Sequence, residues 1–515
     1  MHLAFLYEDA AQYHKGLEIV KKMVAIYPRD KDANLYYALL SYRCRKIEQA
    51  HLAFRKALNY MSIEEKQDFV VNSVNVLLER FWKDQEYSEQ QIQRVKNRYW
   101  QMNDPLLLTE YNERLVEHYA RVAYANLRFS VPEMGIIGWK SDRGKIFIKY
   151  GEPDNRTRLR PQIDETGILY VKTDIWNYGD FTLGFSDDYA SGNFRFSEPG
   201  NGGSKSKSQF NAETQLIVDN LKSSQPDRYE PVFEGPRINI ANRLAQFKNP
   251  NHFTNEKTDI YVYYAIPAVD TLKVQGAAFS HLAGLFFFDR SNELKYQKRS
   301  HIDQNSIQNT ISVSDSIRLN VYAERMSAKA DSGVIAFEVI RDYDKGVSSH
   351  HGKLNIRNFS RYDLDISDMI LASKLNFEND NSMTINRNGI SFVPNPSLVF
   401  KTDGTIYLYC EIYNLAKGAD SFTDFEQVIT ISPLSASENK GIAGFFRNIT
   451  DWVGITDRGQ QVTLRSAYQT DESDVPVYLQ LDMSDYVPAD YNVKLTIYDN
   501  NSGKVISDQS MLFLR

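Results

Sequence analysis

The stretch that decides the interpretation is Gly138-Trp139-Lys140-Ser141-Asp142-Arg143-Gly144, followed directly by Lys145-Ile146-Phe147-Ile148-Lys149-Tyr150-Gly151-Glu152-Pro153-Asp154. Ile146, Ile148 and Tyr150 recur with a period of two, which predicts a short β-strand between two tight turns. The glycines and the Gly-x-Pro turn on either side favour those turns. No part of the stretch has the composition of a catalytic site, so it informs on architecture more than on chemistry.

Residues 138–142 resemble the signature of the GWxTD domain, a bacterial family named for Gly-Trp-x-Thr-Asp, with Ser141 in place of the threonine. Further matches follow in the family's order, and a helical lead-in precedes them, so the resemblance covers about residues 100–196. The lead-in matches are Asp104-Pro105, Asn112-Glu113 and Arg121. The signature positions, for which a structural role is expected, are Gly138, Trp139, Ser141, Asp142, Arg143, Gly144, Gly151, Pro153, Trp176 and Tyr178.

What the resemblance implies about function is limited, because the family has no established activity. Its members look like envelope proteins, often with an export or lipoprotein signal. The segment Met1 to Leu6 lacks the basic region of a signal peptide. Either the chain is naturally leaderless, or an export segment lies outside this sequence. The family resemblance favours the second, and implies an export segment or lipid anchor and a periplasmic or outer-membrane-associated location.

Length and composition indicate a folded, multidomain protein. A chain of 515 residues is expected to form about three or four domains. The 32 tyrosines and 28 phenylalanines favour strands. A net charge of −6 gives no reason to expect a nucleic-acid partner. The two cysteines, Cys44 and Cys410, have no metal-binding spacing.

The fold class predicted is multidomain α+β, beginning with a helical domain over 1–128. Val20 and Phe54 lie 34 residues apart in two similar helical patterns, which indicates a tetratricopeptide-like repeat. Ser62 is predicted to cap the helix that starts at Ile63. A small α+β domain with an antiparallel meander, the GWxTD domain, is expected over 129–200.

A linker with a short helix is predicted over 201–256, because Gly, Ser and Lys dominate its first part. Two β-sandwiches are expected to follow, over 257–345 and 346–515, with 346–352 as a connector and 437–460 as an inserted loop. The spacing Pro488-x-x-Tyr491 before an alternating strand resembles the tyrosine corner of immunoglobulin-like sandwiches. The second sandwich is therefore predicted to be immunoglobulin-like.

A candidate anion-binding face follows the signature. Residues 140–160 contain seven basic side chains against three acidic ones. Arg156, Arg158 and Arg160 alternate, so a strand would place them on one face. The alternative is a solvated hairpin whose charges protect a sheet edge.

The remaining residues suggest no enzyme, cofactor or metal site. No histidine lies between His118 and His252, which leaves the signature region without the usual zinc ligand or near-neutral base. A metal site at His350-His351 is a weaker alternative. We expect a non-enzymatic scaffold that binds envelope proteins, without nucleic acid. The alternatives are a carbohydrate-binding or carbohydrate-active protein, and peripheral membrane association through 441–454.

Overall fold

The computed structural model describes residues 2–79, 88–163, 169–197, 226–250, 257–268, 280–303, 309–359, 362–434, 462–483 and 486–515. The chain divides into two compact units, Met1–Pro236 and Arg237–Arg515. The described part of the first unit combines helices with a small sheet, and that of the second consists of strands. The predicted multidomain organisation, with helices first and antiparallel sheets after them, is confirmed.

Helices build most of the described part of the first unit. The α-helices described are α1 (His2–Asp9), α2 (Tyr13–Ile26), α3 (Lys31–Arg43), α4 (Ile47–Asn59), α5 (Ile63–Lys66), α6 (Glu89–Met102), α7 (Glu113–Phe129) and α8 (Asp142–Tyr150). The predicted cap at Ser62 is confirmed, since its side chain accepts from Glu65 N while Glu65 accepts from Ser62 N. Short connections make α1 to α4 antiparallel neighbours.

The strand predicted over 145–150 is wrong, because these residues belong to helix α8. Ser141 starts the helix by accepting a hydrogen bond from Gly144 N at 3.1 Å. Ile146, Phe147 and Ile148 are all buried although they point in different directions around the helix. A short helix surrounded by protein produces the same continuous apolar run as a buried strand, so periodicity alone could not separate the two.

The first unit also contains the expected small antiparallel sheet. Its order is β1-β4-β5-β6, with β1 (Asn155–Leu159), β4 (Lys172–Asn177), β5 (Thr182–Asp187) and β6 (Arg195–Ser197). A separate pair is formed by β2 (Gln162–Ile163) and β3 (Leu169–Tyr170). Trp176 and Phe185 share one hydrophobic core with helix residues such as Phe54 and Phe147. Helices and sheet therefore pack around a common core.

Four sheets, arranged in two pairs, make up the described part of the second unit. The first pair has the orders β10-β9-β13-β14 and β11-β12-β8-β7. Its strands are β7 (Ala241–Lys248), β8 (Lys257–Pro267), β9 (His281–Asp289), β10 (Leu294–Ile302), β11 (Asn309–Ser312), β12 (Arg318–Lys329), β13 (Ser332–Arg341) and β14 (Val347–Asn355). Tyr264 and Leu285, from opposite sheets, lie in one core, as in a sandwich.

The second pair has the orders β15-β20-β16-β18-β17, with β23 also on β20, and β19-β25-β24-β21-β22. Its strands are β15 (Asp365–Ile366), β16 (Ile370–Asn376), β17 (Ile385–Arg387), β18 (Ile390–Pro394), β19 (Val399–Phe400), β20 (Thr405–Tyr413), β21 (Thr423–Pro433), β22 (Val462–Thr470), β23 (Val475–Asp482), β24 (Asp490–Asp499) and β25 (Val505–Leu514). The Tyr491 hydroxyl donates to Val487 O at 2.8 Å, which confirms the predicted tether.

Two predicted connections are partly strands. The range 201–256 contains β7, which pairs with β8 across eight residue positions. The connector at 346–352 lies mostly in β14, which pairs with β13. Both edge strands are polar enough to read as loops. The short helix expected at 213–221 and the loop at 437–460 lie outside the described residues.

Candidate functional site

Two signature glycines mark a close crossing of backbones. A Cβ on Gly138 would overlap the carbonyl oxygen of Ala125 in α7, and a Cβ on Gly144 would overlap that of Gly138. Helix α7, the 3-10 turn Gly138–Lys140 and helix α8 are therefore in backbone contact. Only glycine leaves room for this approach.

The other residues at the start of α8 are used in the same crossing. Trp139 is buried, and its backbone N–H donates to Asn126 Oδ1 at 2.9 Å. The Ser141 hydroxyl donates to Gly138 O at 2.7 Å while also capping α8. Asp142 accepts from Phe196 N at 3.1 Å, which ties α8 to β6. These contacts hold the helices against the sheet.

The second half of the signature anchors the end of α8. Gly151 follows the helix with φ of 74°, a conformation that glycine adopts without strain. The Tyr178 hydroxyl, just after β4, donates to Gly151 O at 3.0 Å. Arg121 Nη1 donates to Ile148 O at 2.8 Å in the last turn of the helix. Pro153 follows, half-buried, and Trp176 is fully buried in β4.

Arg143, Arg156 and Asp174 form what we call the Arg143 cluster. Asp174 accepts from Arg156 Nε at 2.8 Å and from Arg143 Nη1 at 3.3 Å. Burial lowers the pKa of Arg143 to about 10, although the carboxylate opposes this shift. Burial alone would raise the pKa of Asp174, but the two guanidiniums, Arg156 foremost, hold it below its usual value. The cluster is thus ionic in the folded state.

One of the three arginines of the candidate anion-binding face belongs to this cluster, and the other two do not. Arg156 and Arg158 lie opposite Trp176 and Asp174 in the β1–β4 register, so they share the sheet face that carries Asp174. Arg156 is engaged by Asp174, and Arg158 is exposed. Arg160 lies beyond the end of β1 and is also exposed. The face therefore retains two exposed guanidiniums, and anion binding by them stays a prediction.

A cavity of about 110 Å³ opens beside the far end of α8. Its walls come from α3, α7, α8 and the turn after α8, and include Tyr42, Arg43, Glu117, Arg121, Phe147 and Glu152. Glu117 is buried and pairs with Arg121 and with Arg114. Arg43 donates to Glu152 Oε2 at 2.8 Å. The cavity thus combines aromatic walls with two paired arginines.

Several histidines of the described part of the chain are engaged in internal hydrogen bonds. Ser73 and His118 are hydrogen-bonded at 2.8 Å, but both are buried, and burial holds the pKa of His118 well below its usual range. His351 lies in β14, with Nε2 2.7 Å from Glu338 Oε1. Within the described ranges, no group of three or more His, Cys, Asp or Glu side chains could hold a metal ion.

A second ionic group, the Arg387 junction, connects the two sandwiches of the second unit. Arg387 in β17 donates to Glu411 Oε2 at 2.9 Å and to Asp259 Oδ2 at 3.1 Å. Glu411 lies in β20 and Asp259 in β8, so the three charges join both sandwiches. Apolar side chains of both sandwiches surround them in one cluster, including Phe247 and Phe392.

Comparisons with known proteins give no family. No protein-family model and no curated protein matches this sequence. Among solved structures, the chain has a weak similarity to β-glucuronidase 2 of Bacteroides uniformis, solved with covalently bound cyclophellitol-6-carboxylate aziridine, at 10% identity and a TM-score of 0.16, covering 50% of this chain and 27% of that one. It is also similar to Salmonella alpha-2-macroglobulin reacted with methylamine, at 8% identity and a TM-score of 0.21, covering 70% of this chain and 32% of that one. The chain spans less than two thirds of either protein, and such low scores carry no argument about fold or function.

Sequence reasoning missed the acidic partners of these sites. Asp174 follows its partner Arg156 by 18 residues, and Asp259 lies 128 residues from Arg387. One signal was available for Asp174, since it directly precedes the apolar pair Ile175-Trp176 in its strand, and a charge that is buried requires a partner. Among the described stretches, no helix is long and apolar enough to cross a membrane.

Proposed function

We propose that this chain is a non-enzymatic scaffold of the cell envelope that belongs to the GWxTD family and binds other proteins. In this proposal the N-terminal helices are a tetratricopeptide-like repeat, and the last sandwich is immunoglobulin-like. The signature segment serves to join the helices to the small sheet. The support is that its glycines and polar side chains are used in internal packing, as described above.

An exposed apolar patch on the helices carries the proposal of protein binding. Ile26, Tyr27, Tyr60 and Ile63 are exposed at 69%, 62%, 42% and 85%. We call them the helical patch. Large apolar side chains that group together on a surface are typical of protein-interaction sites.

The four side chains come from one end of the helices. Ile26 and Tyr27 end α2, and Tyr60 and Ile63 lie between α4 and the start of α5. Because α2, α3 and α4 are antiparallel neighbours, these turns lie at the same end. An ion pair between Lys31, at the start of α3, and Glu65 in α5 links them directly. The patch therefore combines two turns of the helical array.

The test is a capture experiment with the full chain and detergent extracts of its own organism's envelope. Proteins recovered with the wild type are identified and then re-tested in purified form. The double variant Ile26→Glu, Ile63→Glu should bind a true partner at least about tenfold more weakly, because two buried interface positions would become charged.

Ile317→Glu is the matched control, because Ile317 is also exposed, at 50%, but lies in the second unit. The proposal requires that this control retains binding and that both variants unfold at the wild-type temperature. A purified partner that binds all three proteins equally would place the interface elsewhere. The absence of any reproducible partner would reject the scaffold function.

The two alternative functions, carbohydrate binding and peripheral membrane association, have no comparable surface patch among the described residues in their support. A sugar ring stacks on flat, exposed aromatic surfaces. The exposed pair Phe377 and Tyr478 is edge-to-face, with an interplanar angle of 68°, so the two rings do not form one flat surface, and the support for this alternative is limited to single exposed rings such as those of Tyr189 and Tyr362. Trp139 and Trp176 are buried. The membrane alternative depends on 441–454, which lie outside the described residues.

A further inference from the structure

We propose that the cavity beside α8 binds a small organic carboxylate, and that Arg43 receives the ligand's carboxylate after Glu152 moves away. This inference is independent of the helical patch. It concerns the six wall residues already named and the two aromatic rings that flank Arg43.

The first observation is the environment of the Arg43 guanidinium. Its central carbon lies 5.5 Å from the centre of the Tyr13 ring and 5.2 Å from that of Tyr124. The Arg43 side chain is only 17% exposed. Aromatic neighbours fix the plane of a guanidinium and leave its N–H edge available for a carboxylate. Arg43 is thus held in place before a ligand arrives.

The second observation is the weak position of its present partner. The Glu152 side chain is 58% exposed, in contrast to the 6% exposure of Glu117 deeper in the cavity. An ion pair with one partner so exposed contributes little stability. Glu117 is different, because it is buried and shared by Arg114 and Arg121. Glu152 is therefore the carboxylate that an incoming ligand can replace.

The third observation is that Glu152 can leave without disturbing the backbone. Gly151 N donates to Phe147 O at 2.8 Å, and Gly151 O accepts from Tyr178 at 3.0 Å. These bonds fix the turn that carries Glu152. Rotation of its side chain alone exposes the Arg43 edge, so exchange requires no refolding.

The cavity also limits the size of the ligand. Its volume is about 110 Å³ and one side is open to solvent. Because an enclosed apolar cavity of about 150 Å³ holds benzene, a ring bound here extends partly out through the open side. Leu39, Tyr124 and Phe147 supply apolar wall. The ligand class is therefore a monocarboxylate with one compact apolar group, about the size of a single ring.

The experiment is a ligand-observed NMR titration of the full chain with benzoate, and with benzamide as the uncharged analogue of the same shape. Benzoate should bind saturably, and benzamide at least about tenfold more weakly, since it cannot form charge-assisted hydrogen bonds with Arg43. Glu152→Gln should bind benzoate about two- to fivefold more tightly, because an exposed competing ion pair is removed.

Arg43→Gln should abolish binding, and Arg55→Gln, an exposed arginine of α4, should leave it unchanged. Arg43→Gln can also weaken folding. The benzamide titration and the Glu152→Gln variant therefore test the site independently of Arg43→Gln. Failure of both wild type and Glu152→Gln to bind benzoate would overturn the proposal. Equal binding of benzamide, or unchanged affinity in a folded Arg43→Gln variant, would overturn it as well.

Discussion

The Arg387 junction and the Arg143 cluster are both ionic groups built around buried arginines, but they differ in how completely their charges are matched. Arg387 faces two carboxylates, and Glu411 also accepts from Tyr409 and Tyr413 at 2.8 and 2.6 Å. In the Arg143 cluster, one carboxylate serves two guanidiniums, and the Arg156 side chain is 24% exposed. With Arg325, which also donates to Asp259 Oδ2, at 2.8 Å, the junction has two cations for two carboxylates, and its central members Arg387, Glu411 and Asp259 are buried. The Arg143 cluster has one carboxylate for two cations and an opening to solvent.

This difference indicates different consequences of mutation. When a closed ionic group loses one member, the remaining charges stay buried without a partner. A group with access to water can be solvated again after the same loss. We expect the junction to be essential for coupling the sandwiches, and the cluster to matter less for stability.

The largest effect is expected for Arg387→Met. It leaves Glu411 buried without a cation, while Asp259 keeps its bond to Arg325, and the uncompensated Glu411 should lower the free energy of unfolding by about 3–5 kcal/mol. Urea denaturation of the full chain, followed by near-ultraviolet circular dichroism and limited proteolysis, measures the change. Arg290→Met is the control, since the Arg290 side chain is 75% exposed. Equal stability of both variants would show that the junction is dispensable.

Trp139→Ala tests whether the signature itself is structural. Trp139 lies in the core of the first unit at 7% exposure, and its truncation should cost about 3 kcal/mol. Intrinsic fluorescence during urea denaturation reports this unit. Binding to a purified partner, corrected for the folded fraction, should not change. A variant that folds like the wild type but loses a partner would instead make Trp139 a recognition residue.

Asp174→Asn opens the Arg143 cluster and should cost about 1.5–3 kcal/mol at pH 7, as expected for a hydrogen-bonded charge. The folded-state pKa of Asp174 lies below the unfolded value of 3.8. Its contribution is therefore complete above pH 3.8 and is lost as the pH falls through the folded-state pKa.

Denaturation of wild type and Asp174→Asn between pH 7 and pH 3 separates this contribution from general acid unfolding. The stability difference between the two proteins should stay constant down to about pH 5 and then narrow at lower pH. A difference that already narrows near neutral pH would mean that Asp174 is not the charged acceptor described above.

The smallest effect is expected for Arg158→Gln with Arg160→Gln. Both side chains are exposed, so the free energy of unfolding should change by less than about 0.5 kcal/mol. The same urea titration measures it. A loss above about 1 kcal/mol would mean that these arginines belong to the stabilising cluster rather than to a free basic face.

Sequence patterns correctly predicted the features that depend on residues a few positions apart in the chain. Ser62 and Glu65 form a cap within one turn of helix, and Tyr491 tethers a loop four residues away. The sequence of α8 predicts a strand instead of a helix, because the burial of this segment depends on its tertiary contacts and not on a local pattern. Burial on all sides removes the one-sided stripe that identifies a helix.

The candidate sites were less accessible to sequence reasoning, because their members are distant in the chain. The cavity combines Arg43 with Glu152, 109 residues later. Arg156 was recognised as part of a basic run, but its acceptor lies on another strand. A single sequence contains no information that pairs such residues, so the charges could be named but not matched.

The crossing at Gly138 and Gly144 has a consequence for recognising related chains. At these two positions there is no space for even one additional carbon atom. The spacing of the two glycines therefore indicates that two helices and the turn between them are in backbone contact. A chain that shares only this spacing and the capping hydroxyl should share the crossing, whatever it binds. Conversely, a chain with alanine at either position must hold its helices further apart, and its cavity beside the second helix should differ in width.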